Sequence, residues 1–237
     1  EWLGGVRFES LSAAARVGRG AAGAYLAYLH AGDLPKRDAL GTDLGLFSYR
    51  DVAVRAGYGW RAGRATFGGA LMMLSESIDD VSGAAVGVDL GPQVRLAKPL
   101  TFGAAIQNLG TKLSLDRTGV ALPVIFRGGL ALRLKTLATR REAFALALEG
   151  EGTTGSDPDL RAGLELWPFR VLAFRAGYRT RFFEGALGSL TGFSAGLGIR
   201  PAGQVTFDYA FAPFGLRNGL GLTHRASIGI RLGAESP

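Results

Sequence analysis

At 237 residues, 47% hydrophobic yet only 20% charged and with 37 glycines, the chain is unusually apolar for a soluble domain, but no run of about 18 uninterrupted apolar residues could cross a bilayer as a helix. Its formal charge of +7 comes mostly from single arginines at alternating positions rather than a basic cluster, which argues against a nucleic-acid surface, and the absence of Cys excludes disulfides and thiolate metal sites. An all-β fold, an antiparallel transmembrane β-barrel forming a single domain over 1–237, satisfies both the hydropathy and the missing helices.

Runs of period two, punctuated by Gly, Pro, Asp and Asn, predict thirteen strands, over 1–18, 20–31, 44–62, 64–76, 84–96, 98–109, 122–136, 142–151, 159–167, 169–182, 190–200, 203–213 and 221–233. Bacterial single-chain barrels have even numbers of strands, so a fourteenth is expected in the complete protein, and the mid-strand character of the first residues implies a segment N-terminal to Glu1. The connections alternate. Those at Arg19-Gly20, Ala62-Gly63, Ala97-Lys98, 136–141, Pro168 and Pro201-Ala202 are short, whereas 32–43, 76–83, 110–121, 152–158, 183–189 and 213–220 are longer and more polar. Short turns on one rim and long loops on the other form the outer-membrane pattern, which predicts that 32–43 and 110–121 face the cell exterior.

The clearest strand pair is 86–96 with 100–108. Even positions from Val86 to Leu96 are apolar or Pro and odd ones are Gly or polar, and Phe102, Ala104 and Ile106 share one side of the partner. The same alternation sends Val52, Val54, Ala56, Tyr58 and Trp60 to lipid, then Phe126, Leu130, Leu132 and Leu134, then Leu172, Phe174 and Tyr178, then Val205, Phe207, Tyr209 and Phe211. Trp60, Trp167 and Phe169 near the short-turn rim, and Phe182, Phe183, Phe211 and Phe214 near the other, fit interfacial girdles. A soluble β-sandwich with an aromatic core is the competing reading.

Two motifs suggest chemistry and fail on context. Gly18-Arg19-Gly20-Ala21-Ala22-Gly23, with Asp43 further on, matches a dinucleotide fingerprint but lacks any strand-helix-strand alternation. Gly192-Phe193-Ser194-Ala195-Gly196 matches a nucleophile elbow but lies inside an alternating strand, which leaves a Ser194–His224 hydrolase as a remote alternative. Neither His30 nor His224 has a second ligand at metal spacing, and Asp79-Asp80 reads as turn chemistry rather than a calcium site, so no metal and no cofactor is expected.

With the apolar positions facing lipid, Arg127, Arg133, Lys135, Glu149, Glu151, Arg161, Glu165, Arg175, Arg179, Arg200, Asp208, Arg225 and Arg231 face inward. Folding adjacent strands about their turns gives a lumen charge ladder of Arg127, Glu149, Glu151, Arg161, Arg175, Arg179, Asp208 and Arg225, with Arg127 near Glu151, Glu149 near Arg161, Arg161 near Arg175 and Asp208 near Arg225. Inward bases outnumber inward acids, so an open lumen is expected to prefer anions. The alternative is a lumen closed by this ladder or by an N-terminal segment.

Six segments in order, Glu76-Ser77-Ile78-Asp79-Asp80-Val81-Ser82-Gly83, Val88-Asp89-Leu90-Gly91, Ala105-Ile106-Gln107-Asn108-Leu109-Gly110, Arg175-Ala176-Gly177-Tyr178-Arg179, Asp208-Tyr209-Ala210-Phe211-Ala212-Pro213-Phe214-Gly215 and Thr223-His224-Arg225, resemble the PorV/PorQ family. That family is similar to the FadL-type long-chain fatty-acid porins, fourteen-stranded outer-membrane barrels with an N-terminal hatch. The resemblance implies a non-enzymatic protein of the bacterial outer membrane, a scaffold or shuttle in a multi-protein envelope machine such as the type IX secretion system. Its implied partners are outer-membrane lipid or lipopolysaccharide and other envelope proteins, with no nucleic acid. The alternatives are a FadL-like porin for hydrophobic or anionic solutes and a structural barrel of a gliding or adhesion complex. The hatch segment with its Asn-Pro-Ala motif finds no counterpart here, and the sequence ends Arg231-Leu232-Gly233-Ala234-Glu235-Ser236-Pro237 rather than on an aromatic residue. Phe182, Phe183 and Phe214 are candidate partner contacts, or else anchors in lipid headgroups.

Overall fold

The computed structural model describes residues 6–115, 118–135, 142–181, 192–202, 204–213 and 222–232. Among the described residues fifteen strands follow one another: β1 (Arg7–Val17), β2 (Gly20–Arg37), β3 (Asp43–Ala62), β4 (Ala65–Ile78), β5 (Val81–Arg95), β6 (Leu100–Gly110), β7 (Lys112–Leu115), β8 (Thr118–Ala121), β9 (Ile125–Lys135), β10 (Glu142–Thr153), β11 (Ser156–Leu166), β12 (Leu172–Arg181), β13 (Phe193–Ala202), β14 (Val205–Pro213) and β15 (Leu222–Ile230). Thirteen join one sheet in the order β1-β2-β3-β4-β5-β6-β9-β10-β11-β12-β13-β14-β15, while β7 and β8 pair separately. The predicted strands are the members of this sheet; the extra pair arises within the expected loop 110–121.

The large side chains lie on the wrong side for a sandwich. Leu71 is 68% exposed while Met72 beside it is 5% exposed, and Leu90 is 50% exposed beside Asp89 at 9%. Buried hydrophobic residues are small or few, Ala27, Ala31, Ala85 and Ala173 among them, and no large side chain among the described residues is fully buried. Hydrophobic burial therefore does not hold this sheet together against water; the apolar face needs an apolar solvent.

The chain forms two compact units. The first comprises Glu1–Arg95, Gly103–Arg127 and Thr153–Ser156. Its strands pair in unbroken antiparallel registers, such as Gly23↔Gly57, Tyr25↔Arg55 and Leu26↔Val54 between β2 and β3, and Arg55↔Met72 and Asp51↔Glu76 between β3 and β4. The β1–β2 turn is Gly18-Arg19, with Gly18 at φ 57°, so the dinucleotide-like glycines serve a two-residue hairpin.

Two expected long loops of this unit are shortened by strand extension. Residues 32–37 continue β2, because irregularities at Ala31/Leu34 and Pro35/Arg37 absorb Gly32, Asp33 and Lys36 while Pro35 stays paired with Leu46, which leaves 38–42 as the turn into β3. Residues 76–83 narrow to a tight turn at Asp79-Asp80, between the paired Ile78 and Val81, with Asp79 at φ 54°. Lys36 is ion-paired with Asp79, tying the β2 extension to this turn. At the β2–β3 turn the Asp38 carboxylate accepts the backbone N–H groups of Leu40 at 2.9 Å and Thr42 at 2.8 Å. The Thr42 amide is the main cause holding Asp38 below the usual aspartate range. The β7–β8 hairpin lies against β5, where a Cβ on Gly83 would stand 2.2 Å from the Ser114 carbonyl oxygen, and its Leu113 is buried.

The second unit comprises Leu96–Phe102, Gly128–Gly152 and Asp157–Pro237. Its registers run through Arg161↔Arg179 and Glu165↔Arg175 between β11 and β12, Gly198↔Asp208 between β13 and β14, and Asp208↔Ser227 between β14 and β15. Phe174, Leu197, Phe207 and Tyr209 are exposed on one face, and Arg175, Gly198 and Asp208 share the other.

Close strand approach explains particular glycines. A Cβ on Gly20 would sit 2.1 Å from the Gly59 carbonyl oxygen, whereas one on Gly59 would meet nothing nearer than the Phe67 carbonyl at 3.6 Å. Gly20→Ala is therefore expected to cost about 1–3 kcal/mol and Gly59→Ala far less. The check is the temperature at which each folded variant loses its heat-modifiable gel mobility.

Candidate functional site

In the first unit four neighbouring strands bring Arg55, Met72, Asp89 and Asn108 together. Arg55 Nε donates to Asp89 Oδ2 at 3.1 Å, and Arg55 Nη2 reaches Asn108 Oδ1 and Met72 Sδ at 3.2 Å each. The Asn108 N–H donates to Asp89 Oδ1 at 2.8 Å and its side-chain amide donates to the Pro123 carbonyl at 3.0 Å. Asn108 stands at φ 61°, a left-handed conformation that Asn tolerates better than most residues, and this turns its backbone N–H to the Asp89 carboxylate. β6 ends at Gly110, and Thr111 just beyond it donates its N–H to the Val86 carbonyl at 2.9 Å while its hydroxyl accepts the Val86 N–H at 3.1 Å. Gly110 is obligatory there, since a Cβ would lie 2.0 Å from Val86 O.

This cluster borders a concavity of about 550 Å³. Its lining is largely Gly and Ala, including Gly57, Gly69, Gly91 and Ala70, with Tyr25, Arg55, Asp89 and Gln107 supplying polar groups. A mostly apolar hollow with a few placed polar groups is the form of a small-molecule site. None of these residues was singled out by chemistry in the sequence. Asp89 and Asn108 lie in segments of the family resemblance, and the alternating glycines that make the hollow read only as small inward positions.

In the second unit the candidate charges form a paired network. Arg161 Nη2 bonds Glu151 Oε1 at 2.6 Å and Asp159 Oδ2 at 3.5 Å, and its Nη1 bonds Glu149 Oε1 at 3.4 Å. Arg179, directly opposite Arg161, binds the same Asp159 carboxylate. Arg175 Nε donates to Glu165 Oε2 and its Nη1 to Asp208 Oδ1, each at 2.5 Å. The second contact passes over β13 because Gly198 has no side chain; a Cβ there would lie 2.8 Å from Asp208 Oδ1 and 2.9 Å from Arg175 Nη1. Trp167 Nε1 donates to Glu165 Oε1 at 2.7 Å, beneath the Arg200 guanidinium at 4.5 Å.

Two expected neighbours differ. Arg161 faces Arg179 rather than Arg175, because the β11–β12 pairing is offset from the assumed turn, and Asp159 offsets the like charges. Asp208 pairs with Arg175 rather than Arg225, which stands opposite Ala210. The network joins carboxylates of Glu149, Glu151, Asp159, Glu165 and Asp208 to guanidiniums of Arg161, Arg175 and Arg179, and the expected neighbours Glu149 and Arg161 do meet, at 3.4 Å. Asp159, buried at the start of β11, is the member that sequence reasoning missed. Arg127 lies on β9 within the first unit. Phe182, Phe183 and Phe214 lie outside the described residues. Ser194 and His224 occupy opposite faces, and His224 Nδ1 is 2.6 Å from the Tyr209 hydroxyl, so they form no nucleophile–base pair.

The toluene transporter TbuX of Ralstonia pickettii matches this structure with a TM-score of 0.62 at 13% identity, over 93% of this chain and 79% of that one. The toluene transporter TodX of Pseudomonas putida matches with a TM-score of 0.59, also at 13% identity, over 85% of this chain and 75% of that one. The chain shares the β-barrel fold of these two proteins. The exposed apolar face thus belongs against the bacterial outer-membrane bilayer, and the polar face of each unit is a lumen face. No protein-family model and no curated protein sequence matches the chain.

Replacing Arg161 with Met is expected to lower stability by about 1–3 kcal/mol, because Glu149, Glu151 and Asp159 lose a shared cation. Arg179→Met is expected to cost less, since Asp159 keeps Arg161. Urea-unfolding midpoints of the refolded variants check the order.

Proposed function

We propose that this FadL-type barrel passes small hydrophobic solutes across the outer membrane. The observation that carries the reading is the concavity of about 550 Å³ lined mainly by Gly and Ala, in a chain sharing its fold with two toluene transporters. Apolar contact with a shallow wall is non-directional and weak enough to be left again, which a passage requires. The Arg–carboxylate network on the lumen face of the second unit holds its side chains in ion pairs and leaves the apolar hollow of the first unit as the place where a solute rests. The PorV/PorQ-type secretion scaffold and the adhesion barrel gain no support from the described residues.

The test is uptake of radiolabelled toluene by bacteria with an intact lipopolysaccharide layer that carry the folded barrel. Uptake several-fold above cells lacking it is expected, reduced when Ala70→Phe fills the hollow; uptake equal to the control overturns the reading.

A further inference from the structure

The polar groups around the hollow carry a selectivity that hydrophobic passage alone does not require. Arg55 is the cation of the lining, and its charge is already compensated: it bonds Asp89 at 3.1 Å, and Asp89 also accepts the Asn108 amide. A carboxylate entering the hollow would meet Asp89 without an unspent cation, and would lose hydration for which nothing compensates. Two neutral groups remain available. Among the described residues no side-chain hydrogen bond occupies the Tyr25 hydroxyl, which stands on β2 directly opposite Arg55, or the Gln107 amide on β6. Around them Gly57, Gly68 and Gly91 present bare backbone, a surface a planar ring can approach closely.

We infer, resting on the passage reading above, that the hollow is a binding site for a flat aromatic ring bearing one uncharged hydroxyl, with Tyr25 and Gln107 holding the hydroxyl and the Arg55–Asp89 pair excluding carboxylates. Phenols and aryl alcohols are the ligand class; benzoates are rejected.

Equilibrium dialysis of the detergent-purified full chain against p-cresol, p-toluate and toluene tests this, alongside the toluene-uptake measurement in cells. We expect p-cresol to bind about tenfold more tightly than p-toluate. Asp89→Asn, which keeps one of the two acceptor oxygens while uncovering the Arg55 charge, should raise p-toluate affinity about tenfold and leave p-cresol nearly unchanged. Tyr25→Phe combined with Gln107→Leu should bring p-cresol down to the level of toluene while heat-modifiability persists, which keeps the test open should Asp89→Asn fail to fold. Equal binding of p-cresol and p-toluate to the unaltered protein, or p-cresol binding unmoved by the double variant, overturns the inference. If toluene uptake stands while the p-cresol preference is absent, only this inference falls; if uptake also equals the control, the passage reading falls with it.

Discussion

A backbone amide facing hydrocarbon has no water to turn to, so each strand must be bonded to its neighbours along the length that crosses the membrane. This requirement dictates the registers, and the registers dictate everything else. Once β3 is paired with β4 at Arg55↔Met72, strict alternation puts Val54 and Leu71 on the lipid side and Arg55 and Met72 on the other. A slip by one residue would exchange them, setting a guanidinium in hydrocarbon at a cost of about 2–4 kcal/mol near the midplane. The low exposure of Met72 and Asp89 beside the high exposure of Leu71 and Leu90 is the trace of that constraint.

Within this frame the two units use their polar faces differently. The second is filled by guanidinium and carboxylate groups bridging neighbouring strands, where partial burial makes each charge costly unless it is paired. At the hollow, the first presents the pair of Arg55 with Asp89 among Gly and Ala. Small residues leave volume. The hollow results from what the strands omit, and the few side chains at its border give it chemical character. The single backbone irregularity there, Asn108 at φ 61°, removes one amide from the ladder and gives it to a carboxylate, so the fold departs from regular pairing at the place where it forms a site.

Much of this was legible in the residues. Period two over 86–96 marked a strand with one apolar face, and the absence of a long apolar run left strands as the only means of crossing. Face assignment therefore followed for Glu149, Arg161, Arg175 and Asp208. The Glu149–Arg161 pairing followed too, but the partners of Arg175 and Asp208 did not, because pairing depends on the offset between strands, which turn residues alone leave uncertain by a residue or two; hence Arg161 is set against Arg175 in sequence where the structure has Arg179. The strand extension through 32–37 is hidden by Gly32, which a bulge accommodates, and by Pro35, which stays in register opposite Leu46 without ending the strand. The hollow was invisible for a different reason: an inward glycine carries no chemical label until its neighbours' positions are known.

Gly198 has a bearing on assembly. Arg175 crosses it to reach Asp208, so the guanidinium spans three strands and closes on its acceptor only when a residue without a side chain lies beneath. Were β13 to pair one position out of step, Leu197 or Ile199 would occupy that spot and block the path. The ion pair therefore acts as a proofreader of alignment: it forms in the native arrangement, is lost in the nearest wrong one, and biases the sheet toward the alignment in which β12, β13 and β14 agree.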